Sequence, residues 1–405
     1  MRPYLTVLRI RGVPTSILLM FFTRLPMTAM GITLTLHIVS DLGRGYGAAG
    51  LVGSATMAGT ALGAPTVGRL IDRHGLRPVV AVCGAASAAF WVSTPHLPFE
   101  ALLVVALPAG ALVVPASSIA RQVVTALVPP GQRRTAYSLD TISLETSFMI
   151  GPAVGVLVST QLSSTVALTG IGVAFGVLAL VLYLTNPPIR TAEEAAAPRT
   201  ARPPILSWLT PGLVATLLIA VGALFVLIGT ELAALATLRA AGEVSWTGVV
   251  IAVMCVASLA GGLVHGAVSR PLSQLRLMVL LALLVVPVGL VGAPWWLLAL
   301  ALVPTNLMCA PTLAATTESV SRLAPPSVRG EAMGLQDSAT RIGLALGSPV
   351  VGFVMDHTAP GWGFVAAGVG GLLFAGAGAL LHRRVVTRRP AAAAPDSAGS
   401  AAATG

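Results

Sequence analysis

The sequence predicts an all-α polytopic membrane protein with twelve transmembrane helices arranged as two pseudo-symmetric six-helix bundles. Three observations carry this reading. The 405 residues are 55% hydrophobic and only 9% charged, with a mean hydropathy of +0.88, which leaves too little polar surface to hold a soluble domain in water. The basic residues, all arginine because lysine is absent, fall between apolar runs on one side of the alternating topology. A stretch of the first half also reappears in the second at an offset of 196 residues.

At roughly 20 apolar residues per span, the twelve spans lie near residues 16–39, 48–68, 78–95, 100–123, 137–159, 164–184, 210–235, 246–268, 276–293, 296–318, 331–354 and 362–382. With both termini cytoplasmic, nineteen arginines between Arg2 and Arg389 fall on inner segments and only Arg44 and Arg239 on outer loops. An odd number of spans would scramble this positive-inside asymmetry. The net charge of +10 therefore reports topology and contact with anionic lipid, and no nucleic-acid partner is expected. Trp91, Trp208, Trp246, Trp295, Trp296 and Trp362 lie close to span ends, as an interfacial aromatic belt would. Arg2, Arg9 and Arg11 precede an apolar run too long for a secretory signal and without a small-residue cleavage site, so an uncleaved first helix is expected.

Residues 185–209, rich in Pro, Ala and charge, separate six spans from six. The expected units are an N-terminal bundle (1–184), a flexible cytoplasmic linker (185–209), a C-terminal bundle (210–382) and a disordered cytoplasmic tail (383–405). The repeat supports the division. Pro129-Pro130-Gly-Gln-Arg133-Arg-Thr-Ala136-Tyr-Ser-Leu139 aligns with Pro325-Pro326-Ser-Val-Arg329-Gly-Glu-Ala332-Met-Gly-Leu335, and Gly151 and Val154 continue onto Gly347 and Val350.

The turn between spans two and three, Gly68 to Arg77, concentrates charge that must face water. Its Asp72 can face the positive end of a neighbouring helix, and Gly75 allows a close turn. The pattern Gly68-x-x-x-Asp72-Arg73-x-Gly75-x-Arg77 resembles the loop between the second and third helices of the major facilitator superfamily of secondary transporters. That resemblance implies two six-helix halves rocking about a midplane cavity. It also implies that Asp72 meets the start of span eleven, near Gly330 to Met333, and holds an outward-open state. Leu76 stands where that family usually has a basic residue, and the second half keeps only Gly262-Leu-Val-His265-Gly266 and Arg270, without the Asp. On span five, Gly151-Pro152-x-x-Gly155, with Ser147 and Val156 at two glycine positions, resembles the signature of the superfamily's proton-coupled exporters. These residues should bend the helix and admit a close neighbour at the interface between the halves.

Ionisable residues inside spans are costly and so mark functional candidates. Arg24, Arg121, Glu145, Glu318, Asp337 and Arg341 are the candidates for proton coupling or substrate charge. At the repeat offset Glu145 maps onto Arg341 and Arg121 falls one residue from Glu318, which predicts the pairs Arg121–Glu145 and Glu318–Arg341, with Arg24 as an alternative partner of Glu145. Asp140 is expected to be hydrated near the inner interface and Glu231 solvated near the outer one. Cys83, Cys255 and Cys309 sit on separate spans and the six histidines are scattered singly, so neither metal nor cofactor is expected. A phosphate-binding Gly-x-x-x-x-Gly-Lys-Ser/Thr loop is impossible without lysine, which excludes an ATP-driven pump.

The expected function is non-enzymatic: secondary active transport, with proton-coupled efflux of a small organic compound favoured by the span-five resemblance. Proton-coupled uptake of a sugar or organic acid is the alternative. A non-transporting sensor or scaffold is a third, against which the intact loop motif and the buried charges argue. Absence of lysine beside abundant Ala, Gly, Arg and Val fits a GC-rich bacterial genome, so the expected setting is the bacterial inner membrane. There the chain would be a multi-pass monomer whose partners are its substrate, protons and the bilayer.

Overall fold

The computed structural model describes residues 2–196, 203–268, 270–291 and 294–387 and contains no strand among them. A short helix (Arg2–Leu8) precedes α1 (Val13–Leu36), which widens into a π-helical turn, His37–Asp41. Then follow α2 (Tyr46–His74), α3 (Leu76–Ser93), α4 in two pieces (Phe99–Ala111 and Ala116–Leu127), α5 (Arg133–Gln161) and α6 (Ser164–Thr185). The second set is α7 (Pro211–Ala240), α8 (Thr247–Ala267), α9 (Gln274–Val285), α10 in two pieces (Trp295–Asn306 and Cys309–Leu323), α11 (Arg329–His357) and α12 (Pro360–Thr387). Each expected span corresponds to one of these helices.

Among the described residues, ten helices are long and apolar enough to cross a membrane. The other two have local explanations. The helix of α9 reaches only from Gln274 to Leu290, because Pro287 lies inside its last turns. In α2, Thr56, Gly59, Thr60 and Gly63 replace large apolar residues, since a Cβ at Gly59 or Gly63 would run into the α4 backbone at Leu107 and Ala111. Small residues that admit close helix contact dilute the hydropathy of a span that packs closely on α4 and α11.

The repeat is structural. Pro115 cannot donate a backbone hydrogen bond and disfavours a helical Val114, so α4 breaks between Ala111 and Ala116. Pro108 and Pro115 have counterparts 196 residues on, Pro304 and Pro311, which flank the corresponding break in α10. Thr125 and Ser321, equivalent by the same offset, meet with hydroxyls 3.2 Å apart, as residues on a pseudo-two-fold axis should. On α5, Gly151 packs on α1 at Leu25 and Thr28, while on α11 Gly347 packs on α7 at Phe225 and Ile228.

Several expectations need correction. Trp91 and Trp208 are 1% and 2% exposed and belong to apolar clusters rather than an interfacial belt. Trp246 stacks on Trp295 with centroids 4.3 Å apart. Helix α5 begins at Arg133 rather than near 137, so Glu145 lies twelve residues in, about 18 Å from the helix start at 1.5 Å per residue. Within a hydrocarbon core of about 30 Å that is close to mid-depth. Helix α12 continues to Thr387, and the expected disordered tail from residue 388 lies outside the described residues, as do linker residues 197–202.

Candidate functional site

The halves meet chiefly through two helix pairs, α2 with α11 and α5 with α8, and both seams are bonded at the arginine-rich end. Helix α2 stops at Gly75, whose φ of +86° only glycine adopts without strain. One turn earlier, the Asp72 carboxylate accepts the backbone N–H groups of Gly330 (3.0 Å) and Glu331 (2.9 Å). These are first-turn amides of α11 with no partner inside their own helix, and the positive end of the helix dipole adds attraction. A Cβ at Gly68 would strike the Gly330 carbonyl, and one at Gly334 would strike the backbone of Ala64 and Pro65. Ser338 donates to the Ala61 carbonyl at 2.5 Å, and Arg69 pairs with Glu331 at 2.7 Å. Arg73 is exposed. Arg77 turns away from the seam, donating to the Tyr183 carbonyl at 3.1 Å with its guanidinium over the Tyr183 ring. Leu76 is buried among Val79, Val80 and Ile119, which accounts for an apolar residue at that place in the motif.

The α5–α8 seam lacks an aspartate and is bonded from the other side. Thr135 donates to the Gly266 carbonyl at 2.6 Å, Arg134 donates to the Val268 carbonyl, and Tyr4 donates to the Leu263 carbonyl at 2.5 Å. The linker adds a clasp. Arg190 donates to the Asp72 carbonyl at 2.7 Å, and Glu194 takes both Nη atoms of Arg329, at 3.0 and 2.9 Å. Thr191 and Glu194 cap each other's backbone N–H, starting the short helix Ala192–Ala196. Burial alone would raise the Glu194 carboxyl, but the hydrogen bonds and charge of Arg329 outweigh it and hold the group below the usual carboxylate range. This part of the expected flexible linker is docked.

The buried charges pair differently from the sequence expectation. Arg24 pairs with Asp140 at 2.8 Å, both nearly inaccessible, and also donates to the Asp140 carbonyl at 3.2 Å. Arg341 pairs with Asp337 one turn away on α11 at 3.0 Å. Neither Arg121–Glu145 nor Glu318–Arg341 forms among the described residues. Arg121, 7% exposed, instead stands within electrostatic reach of both Asp140 and Asp337. Glu318 faces cavities of about 450 and 540 Å³, the first shared with Arg133, Arg322 and Arg329. Glu145 faces α8 and the other half: Ser258 lies against it and Glu231 of α7 is in electrostatic reach. Asp140 and Glu231, read from sequence as hydrated bystanders, thus belong with the candidate residues, Asp140 by its ion pair with Arg24 and Glu231 within electrostatic reach of Glu145.

The span-five motif also acts elsewhere than expected. Gly151 and Gly155 face α1 of their own half, at Leu25, Thr28, Ala29 and Thr33, and not the interface between halves. Pro152 follows within the same turn, and Ser147, in place of the first glycine, accepts a hydrogen bond from Thr28 at 2.9 Å through its carbonyl. Among the described residues no group of three or more His, Cys, Asp or Glu is arranged to hold a metal ion.

Two repeated six-helix halves, joined at one end through α2–α11 and α5–α8 and carrying charged side chains between helices, define a multi-pass membrane transporter fold. The model of the Major Facilitator Superfamily matches residues 16–291 and 241–403, and the chain belongs to that family. It is accordingly a transporter and not an enzyme. Among solved structures, a human organic anion transporter is 19% identical with a TM-score of 0.70, covering 91% of this chain and 99% of its own. A proton:xylose symporter is 13% identical with a TM-score of 0.69, covering 90% and 94%. A bacterial homologue of the iron transporter ferroportin, in an outward-facing state, is 14% identical with a TM-score of 0.72, covering 92% and 100%. No curated protein matches the sequence.

Proposed function

We propose that the chain is a proton-coupled exporter of a small organic compound, working by alternating access as a monomer in the bacterial inner membrane with both termini cytoplasmic. In that orientation the arginine-rich end is cytoplasmic, and the contacts of Asp72 and Thr135 close it, so the halves stand in an outward-facing state.

The observation that carries the coupling is Glu145, a carboxylate near mid-depth that has another carboxylate, Glu231, for a neighbour and no arginine paired to it among the described residues. Two like charges within electrostatic reach repel, and binding a proton relieves the repulsion. Because Glu145 belongs to α5 and Glu231 to α7, one in each half, the proton biases how the halves sit against each other. Substrate arriving when the proton leaves completes an exchange cycle.

Proton-coupled uptake is the second reading. It uses the same residues in the opposite direction, and a proton:xylose symporter among the similar structures favours it. Inverted membrane vesicles with a respiration-driven pH gradient, followed by a fluorescent dye, separate the two. Export predicts that a hydrophobic drug collapses the gradient in wild type and not in Glu145→Gln. Silence toward every drug, with gradient-driven uptake of a sugar or organic acid in right-side-out vesicles, would overturn export.

A further inference from the structure

We infer that Arg121 is the binding point for an anionic group, best matched by a carboxylate, on the transported compound. The inference deepens the transport reading and rests on it. It starts from a charge count. Three guanidiniums lie in the spans, Arg24, Arg121 and Arg341, and the carboxylates beside them are Asp140 and Asp337. Asp140 is held by Arg24 at 2.8 Å and Asp337 by Arg341 at 3.0 Å. Both aspartates are therefore engaged, and the positive charge in excess resides on Arg121.

Geometry agrees with the count. Arg121 is 93% buried by its 7% exposure, and its Nη1 has no hydrogen-bond partner among the described residues. A buried, unsatisfied cationic donor is expensive, and a fixed structural role would have supplied a bonded acceptor. The residue sits on the inner piece of α4, directly after the proline break, and that piece packs against α1 of its own half and α11 of the other. An anion bound there touches both halves, which is what a transported substrate must do to bias their rocking. The planar guanidinium matches a carboxylate through paired N–H donors. Glu145 does not neutralise Arg121, since the groups in its electrostatic reach are Glu231 and Ser258.

The test is equilibrium binding to the purified full-length protein, read as the shift in melting temperature at constant chloride. The probes are benzoate and hexanoate, with benzamide and hexanamide as neutral shape controls. Both carboxylates should stabilise wild type saturably and the amides should not. Arg121→Gln leaves two neutral ion pairs behind, so it should fold, melt higher without ligand, and bind the carboxylates at least tenfold more weakly. Asp337→Asn leaves a second guanidinium uncompensated and should bind them more tightly. Amides matching the acids, no shift by either acid, or full retention in Arg121→Gln would each overturn the anion site. Binding through Arg121 in a protein that moves no protons would refute the coupling alone; proton-coupled transport with no carboxylate response would refute this site alone.

Discussion

Replacing Asp72 by Asn should unlatch the arginine-rich end of the protein. The carboxylate accepts two backbone amides at the start of α11. Charge-assisted hydrogen bonds contribute about 1.5–3 kcal/mol and neutral ones about 0.5–1.5, and a carboxylate at a helix N-terminus gains a further 0.3–1 kcal/mol or so from the dipole. Asn keeps one acceptor oxygen and no charge, so the latch weakens by about 2–3 kcal/mol, a factor of about 30 to 150 in the ratio of closed to open. A population that stood at about 99:1 would fall to about 3:1 or lower. Spin labels at positions 73 and 322, both exposed and one in each half, report the separation by pulsed electron resonance. A new long-distance population in Asp72→Asn supports the latch; distance distributions identical to wild type would refute the reasoning.

Three further outcomes follow from the same contacts. Gly334→Val drives a side chain into the Ala64–Pro65 backbone, and overpacking of about 1–3 kcal/mol should shift the same label pair toward the long distance. Arg24→Leu or Asp140→Leu alone leaves a buried charge unpaired and should cost about 3–5 kcal/mol, whereas the double variant should recover most of the loss in thermal melting. The Glu194 carboxyl is depressed in the docked linker, so docking is stabilised above the ordinary glutamate value of 4.5 and lost as pH falls below it. Hydrogen exchange of residues 192–196, corrected for intrinsic rates, should show that loss in wild type, and Glu194→Gln should be weakly protected at every pH.

The architecture was legible because each of its determinants is a one-dimensional pattern. Apolar runs, arginine placement and the 196-residue offset are all read along the chain, and the structure adds Thr125–Ser321 contact to the offset. The Asp72 latch was legible through a resemblance: the motif from Gly68 to Arg77 implied a partner near Gly330 to Met333, and the carboxylate meets Gly330 and Glu331. Charge pairing was not. It depends on which way a helix face turns, and two features hidden from the pattern decide that. The break between Ala111 and Ala116 resets the phase of α4 before Arg121, and α5 begins four residues early, placing Glu145 deeper and opposite α8. Asp140, on an adjacent turn of α5, then becomes the partner of Arg24. Gly151 and Gly155 show the same limit: small residues announce a close neighbour without saying that it is α1 rather than the other half.

The most direct test of the central claim compares two modes of transport in proteoliposomes containing wild type or Glu145→Gln, using a compound that collapses the vesicle pH gradient. Equilibrium exchange needs only alternating access; accumulation driven by a pH gradient needs the proton site as well. The account predicts that Glu145→Gln retains exchange and loses gradient-driven accumulation. Full gradient-driven accumulation in Glu145→Gln would contradict it and remove Glu145 from the coupling mechanism.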